Sequence, residues 1–101
     1  MRKRFVVSIA DQPVAQVNLF QVNFIQKNFG WWHYWNNFWL LTDDSAIWTA
    51  DTIRENIVKS FPGVLCMVIE IQSNGQDTYA GIIPVESPLD PNDWLLKYWK
   101  P

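Results

Sequence analysis

The sequence predicts an α+β fold: one antiparallel sheet of four to five strands, two helices on one face, and a short C-terminal helix. Three observations carry that expectation. The chain has 101 residues, 49% hydrophobic and 18% charged, which supports one domain with one core and is too short for two. Its apolar residues switch between short β-branched runs and helical spacing, the alternation of a chain that layers helices on a sheet. Cap and turn residues punctuate the switches, at Asp11-Gln12-Pro13, Asn36-Asn37, Pro62-Gly63 and Asp90-Pro91.

The first strand is Arg4 to Ile9, short, apolar and β-branched. Asp11 then offers a helix N-cap, and Pro13 suits a first turn, where its missing N–H costs nothing. From Val14 to Phe29 the residues Ala15, Leu19, Val22, Ile25 and Phe29 recur at helical spacing, with Gln16, Asn18, Gln21, Asn23 and Gln26 between them. The first set is the expected core face, and Gly30 the expected stop. A strand reading competes over Val17 to Phe24, where apolar residues also alternate across one slip. Trp31 to Thr42 is rich in β-favouring rings on either side of Asn36-Asn37. Asparagine tolerates the left-handed backbone of tight turns, so a hairpin is expected, with a helix as its rival because Trp31, Trp35 and Trp39 are spaced by four.

A second helix is expected from Thr49 to Ser60. Thr49 caps it, Asp51 sits in its first turn, and Ala50, Ile53, Ile57 and Phe61 share one face. Val64 to Ile71 is a nearly continuous apolar run, the pattern of a central strand covered on both faces. Ser73-Asn74-Gly75-Gln76 signals a turn, Thr78 to Ile83 a returning partner strand, and Pro84 and Pro88 its end. Asp90-Pro91-Asn92-Asp93 opens the last helix, which presents Trp94, Leu95 and Tyr98 together, plus Trp99. Strand, helix, hairpin, helix, strand, strand is the order of a ferredoxin-like sandwich over residues 1–101.

Composition narrows the function. A lone cysteine, Cys66, excludes an internal disulfide framework and a cysteine-cluster zinc site, and its place in a buried run makes it a core residue. The longest apolar runs are too short to span a bilayer, so no membrane partner is expected. Met1-Arg2-Lys3-Arg4 resembles the start of a leader peptide, but the apolar stretch ends by Asp11 and no small-residue cleavage site follows, so the expected location is the cytoplasm. Seven tryptophans, four of them between Trp31 and Trp39, exceed what so small an interior hides. Trp31, Trp32, Tyr34, Trp35 and Trp39 are therefore candidates for a partner interface or a platform on which ligands stack.

Candidate chemistry is sparse. His33 is the one histidine, hence a candidate general base, with a polar-tipped strand residue as the plainer reading. Asp11 is the acid near a strand end that, paired across a dimer, could gather a divalent metal; its plainer reading is the helix cap. The Asp43-Asp44-Ser45, Asp90 and Asp93 positions read as turn and cap residues. Arg2, Lys3 and Arg4 are candidate phosphate contacts, yet a net charge of −2 and a pI near 5.1 depart from the basic face of a nucleic-acid binder. There is no glycine-rich phosphate loop and no HExxH motif, and no cofactor is expected.

Trp32-His33-Tyr34-Trp35-Asn36-Asn37-Phe38-Trp39-Leu40-Leu41-Thr42 resembles a recurring stretch of small ferredoxin-like proteins called SinR-like. These are similar to the small CRISPR adaptation subunit and the virulence-associated-protein-D endoribonucleases. In that group "W-H-Y" runs into "T-W-L-V", a threonine, a capped helix with "L-R-D-x-L" and a buried strand. Ala50 to Ile57, Val64 to Ile69 and a late Trp94-Leu95-Leu96-Lys97 fit the same order. The resemblance implies a homodimer and a metal-dependent nuclease with an aspartate in a "Y-D-L" ending on the first strand. Here that ending is Ser8-Ile9-Ala10-Asp11, which sets the carboxylate one position late, on the opposite face of a strand.

The expectation is thus a non-enzymatic interaction protein that dimerises through sheet edges and the Trp31–Trp39 region. Its partner is a protein or a nucleic acid, as for an accessory of a phage, mobile element or defence system. The alternative is a metal-dependent nuclease that uses Asp11.

Overall fold

Alternation of apolar side chains along the first strand from Phe5 to Ile9 sets the frame of the molecule. In the computed structural model, which describes residues 2–35, 37–72 and 91–99, β1 spans Lys3–Ile9. Phe5, Val7 and Ile9 point into the core, whereas Val6 and Ser8 point to the other side and keep contact with solvent. β1 pairs antiparallel with β3 (Phe38–Asp43) on one side and with β4 (Cys66–Glu70) on the other, and β2 (Gly30–Trp32) extends the sheet beyond β3. The strand order is β2-β3-β1-β4, all antiparallel. Helices follow β1 and β3, so the chain has the β-α-β-β-α-β connectivity of the ferredoxin-like class. The fold class expected from the sequence is the one found.

The first helical stretch is one rod in three parts: α1 (Val14–Phe20), a π-helical turn over Gln21–Ile25, and α2 (Gln26–Asn28). Asp11 does not cap it. The N-cap position is Pro13, with no side-chain hydrogen bond, because the Asp11 carboxylate instead accepts from Asn37 Nδ2 at 2.9 Å. The expected core face holds only in part: Ile25 and Phe29 are buried as expected, whereas the rest of the face turns over. Val17, Phe20, Gln21, Phe24 and Ile25 are buried, while Ala15, Leu19 and Val22 are exposed. Both sets lie at helical spacing, so periodicity alone could not choose between them.

The hairpin is present, and Asn37 carries its left-handed turn at φ 68°. At the open end of the hairpin Gly30 faces Thr42 closely, and a Cβ there would force the Thr42 hydroxyl to shift. α3 (Ala50–Ser60) begins as expected at Thr49, whose hydroxyl accepts from the Thr52 N–H at 3.1 Å while Thr52 Oγ1 accepts from the Thr49 N–H. β4 departs from expectation on one face, which is not covered. Among the described residues it stands at the end of the sheet, paired with β1 alone, and its side chains alternate between half-buried and exposed. The expected turn at 73–76, the returning strand Thr78 to Ile83 and its proline stops lie outside the described residues.

The core lies between the sheet and the helices. Phe5, Val7, Trp39 and Leu41 from the strands meet Val17, Phe20, Phe24, Ile25, Ile53 and Ile57 from the helices. Phe20 joins the layers, edge-on to both Trp39 and Phe61. The last helix, α4 (Pro91–Tyr98), lies near β2, and its Leu95 is buried.

Candidate interaction surface

Cross-strand register places side chains on the outward face of the sheet in rows, because directly opposed residues point the same way. One row is Gly30, Thr42 and Arg4; the next is Trp32, Leu40, Val6 and Ile69; the third is Phe38, Ser8 and Met67. The first row is covered at Thr42 and Arg4. The Arg4 guanidinium is buried 5.4 Å from the Trp99 ring centroid, and Arg2 Nη1 donates to the Tyr98 carbonyl at 2.7 Å, which pins the end of α4. The other two rows are mainly apolar, carry no charge, and are open toward β4: Met67 is 61% and Ile69 50% exposed, with Leu65 beyond them at 77%.

The aromatic candidates divide sharply. Trp39 points inward and is fully buried, its Nε1–H donating to Gln21 Oε1 at 2.7 Å. Trp32 is buried on the outward face among Tyr34, Trp35 and Phe38, with ring centroids 5.0 to 6.3 Å away. Trp35 stacks on Phe38 at 5.3 Å and is itself exposed, and Tyr34 is half-buried beside it. Trp31 is exposed on the edge strand. Of the five candidates, Tyr34 and Trp35 present a surface on the outward face with Trp32 beneath them, Trp31 is exposed on the helix side of the sheet opposite Leu41, and Trp39 belongs to the core. This division was hidden from the sequence, because alternation gives sides without saying which side is filled.

His33 is tied into the same corner. Its ring lies parallel to Trp39, centroids 4.4 Å apart, and Nδ1 is 2.9 Å from the Phe38 carbonyl. A carbonyl only accepts, so Nδ1 carries the proton and fixes the tautomer. Desolvation lowers the His33 pKa below 6.5, opposed by that hydrogen bond. The group is neutral at pH 7 and bridges the two ends of the hairpin loop. Asp11 lies on the loop after β1, exposed and held by Asn37. No group of three histidine, cysteine or acidic side chains able to hold a metal occurs among the described residues.

The N-terminal cations each have a partner in the fold. Arg2 pairs with Asp44, Lys3 Nζ donates to the Trp48 carbonyl at 2.7 Å, and Arg4 lies against Trp99. Cys66 is half-buried and packs against the core. Asp93 forms an ion pair with Lys97 one turn along α4.

Two residues matter more than the sequence indicated. Gln21 is a buried acceptor for Trp39, although a glutamine between apolar positions reads as a wet-face residue. Asp43 is buried and organises the β3–α3 connection. Its carboxylate accepts from the Ser45 hydroxyl, the Ser45 N–H and the Trp48 N–H. Desolvation raises its pKa, but these hydrogen bonds outweigh it and leave the net shift downward. Asp-Asp-Ser at a strand end was the available signal, one that does not say which acid turns inward.

Comparison of the chain with protein-family models, with curated proteins and with solved structures gives no match.

Proposed function

We propose that this protein is a non-enzymatic interaction module that forms a homodimer through the outward face of its sheet, the β4 edge and the aromatic corner at Tyr34 and Trp35. The observation that carries the reading is the open apolar pair Met67 and Ile69 on a strand that, among the described residues, is hydrogen-bonded on one side only. Exposed edge strands of monomeric proteins are usually guarded by lysine, proline or a bulge, and β4 has none of these at its outward positions.

A second copy is the favoured occupant on grounds of charge. A two-fold contact lays a surface against itself, so any charge on it meets its like. The open rows contain no ionisable group, whereas the covered row contains Arg4. A specific contact removes on the order of 800 Å² per partner from water. Apolar area buried there returns about 25 cal/mol per Å², before the cost of association.

The test is light scattering after size exclusion, over a range of loading concentrations, for the wild type and for Met67→Lys/Ile69→Lys. Both side chains are exposed, so the double variant keeps its fold, verified by circular dichroism. The wild type is expected to elute as a dimer or larger and the variant to shift toward monomer. Equal masses for the two proteins at every concentration would overturn the reading. Adding a short single-stranded oligonucleotide addresses the stacking alternative: salt-sensitive binding by a monomer would assign Tyr34 and Trp35 to nucleic acid instead. Metal-dependent cleavage that is lost in Asp11→Ala would favour the nuclease implied by the family resemblance.

A further inference from the structure

The layer opposite that sheet face carries a second uncovered apolar stripe. The rod from Val14 to Asn28 buries Val17, Phe20 and Phe24 against the core, yet Leu19 is 61% and Val22 51% exposed on its other side. From Gln12 to Gln26 the chain has no charged residue at all. A solvated helix face ordinarily carries charges, and one that is apolar and amide-lined on its outside has the character of an interface centre. The π-helical turn over Gln21–Ile25 falls in the same region, and such turns concentrate at functional positions.

The stripe is complementary to itself. About a point between Phe20 and Gln21, Leu19 mirrors Val22, Asn18 mirrors Asn23, and Ala15 mirrors Gln26, all six exposed. Two such helices packed antiparallel across a two-fold axis therefore set Leu19 against Val22 twice, an amide against an amide twice, and small Ala15 against long Gln26 twice. A shallow groove of about 170 Å³, lined by Gln16, Leu19, Phe20, Asn23, Phe24 and Ser60, lies beside the stripe. It offers a hole for a partner's side chain.

Charge does not oppose the pairing. Lys27 is the nearest ionisable group on the rod, and the two copies of it lie about 20 Å apart, at about 1.5 Å per residue, beyond the reach of screened repulsion. A partner with a charged contact face would instead leave that charge buried without a counter-ion.

From these observations we infer that the helical layer is a second self-association surface, on which another copy of this chain docks antiparallel with Leu19 opposite the Val22 of its partner. Combined with the sheet-face contact, on which it does not depend, this makes the chain bivalent, and two different two-fold contacts build a tetramer or a filament.

Sedimentation velocity of four proteins tests this: wild type, Leu19→Glu/Val22→Glu, Leu19→Glu/Val22→Lys, and Met67→Lys/Ile69→Lys. Circular dichroism verifies that each is folded. The wild type is expected as a species larger than a dimer. The double-glutamate variant faces acid with acid and falls by one assembly step, with association weakened at least tenfold. The Glu/Lys variant faces acid with base and regains the larger species. A double-glutamate variant that sediments like the wild type overturns the inference, and so does failure of the Glu/Lys variant to recover. If Met67→Lys/Ile69→Lys leaves a wild-type dimer intact while the double-glutamate variant dissociates it, the helical contact stands and the sheet-face reading falls.

Discussion

The two faces of the sheet are built from the same strands and have opposite fates. Inward, Phe5, Val7, Trp39 and Leu41 are fully buried by helices from the same chain. Outward, the side chains are comparably apolar, yet Val6, Leu40 and Phe38 are half-buried and Met67 and Ile69 exposed, and the C-terminal helical end covers Thr42 and Arg4 among the described residues. The contrast teaches that hydrophobicity along a strand sets how much surface wants covering, while the supply of helices sets how much the chain covers by itself. The uncovered remainder is where a second molecule gains most.

The largest expected effect is on the inward face. Trp39→Ala removes a fully buried tryptophan and strands the Gln21 acceptor, which is expected to cost about 3–5 kcal/mol of stability in a denaturant titration. An outward substitution breaks the comparison from the other side. Met67→Ser is expected to leave monomer stability within about 0.5 kcal/mol, measured at a concentration below dimerisation, while weakening association. Equal stability losses at the two sites would mean that the faces are equally closed.

Between these lies Asp43. Asp43→Ala leaves the Ser45 and Trp48 N–H groups without their acceptor and is expected to cost about 1–3 kcal/mol. Its folded pKa lies below the ordinary value of 3.8, so its contribution is present in full above that value. The contribution is lost as pH falls through the folded value, because the unfolded chain binds the proton first. Thermal melts between pH 2 and 6 should show an acid limb that flattens in the variant.

His33 follows the same sign through a different cause. Desolvation disfavours its charged form, so its contribution is complete above 6.5 and declines as pH falls below that value. An NMR titration of the ring should give a midpoint below 6.5; a midpoint above it would mean that the ring is solvated or faces an acid. The smallest effect belongs to Asp11→Ala, where one exposed hydrogen bond to Asn37 is lost, at most about 1 kcal/mol. The thermal midpoint should move by only a few degrees.

Much of the fold was legible in the sequence, for local reasons. Thr49 signalled the start of α3 because a cap is a short-range hydrogen bond, and Asn37 supplied the left-handed turn that the hairpin needs. What was hidden depended on contacts between distant segments. The rod from Val14 to Asn28 has two apolar stripes, and only packing decides that Val17, Phe20 and Phe24 face inward rather than Ala15, Leu19 and Val22. Asp11 sits where a cap belongs, but the hairpin brings Asn37 to it across 26 residues. β4 reads as a central strand because both of its faces are apolar, whereas one of them is open. The site was therefore visible as a composition, an excess of tryptophan and uncharged apolar surface, and not as a place.

The most direct measurement is sedimentation equilibrium of the wild type and Met67→Lys/Ile69→Lys across a hundredfold concentration range. The account predicts reversible self-association of the wild type and a loss of at least tenfold in affinity for the variant, with the fold unchanged. A wild type that remains monomeric throughout, or a variant that associates as tightly as the wild type, would contradict it.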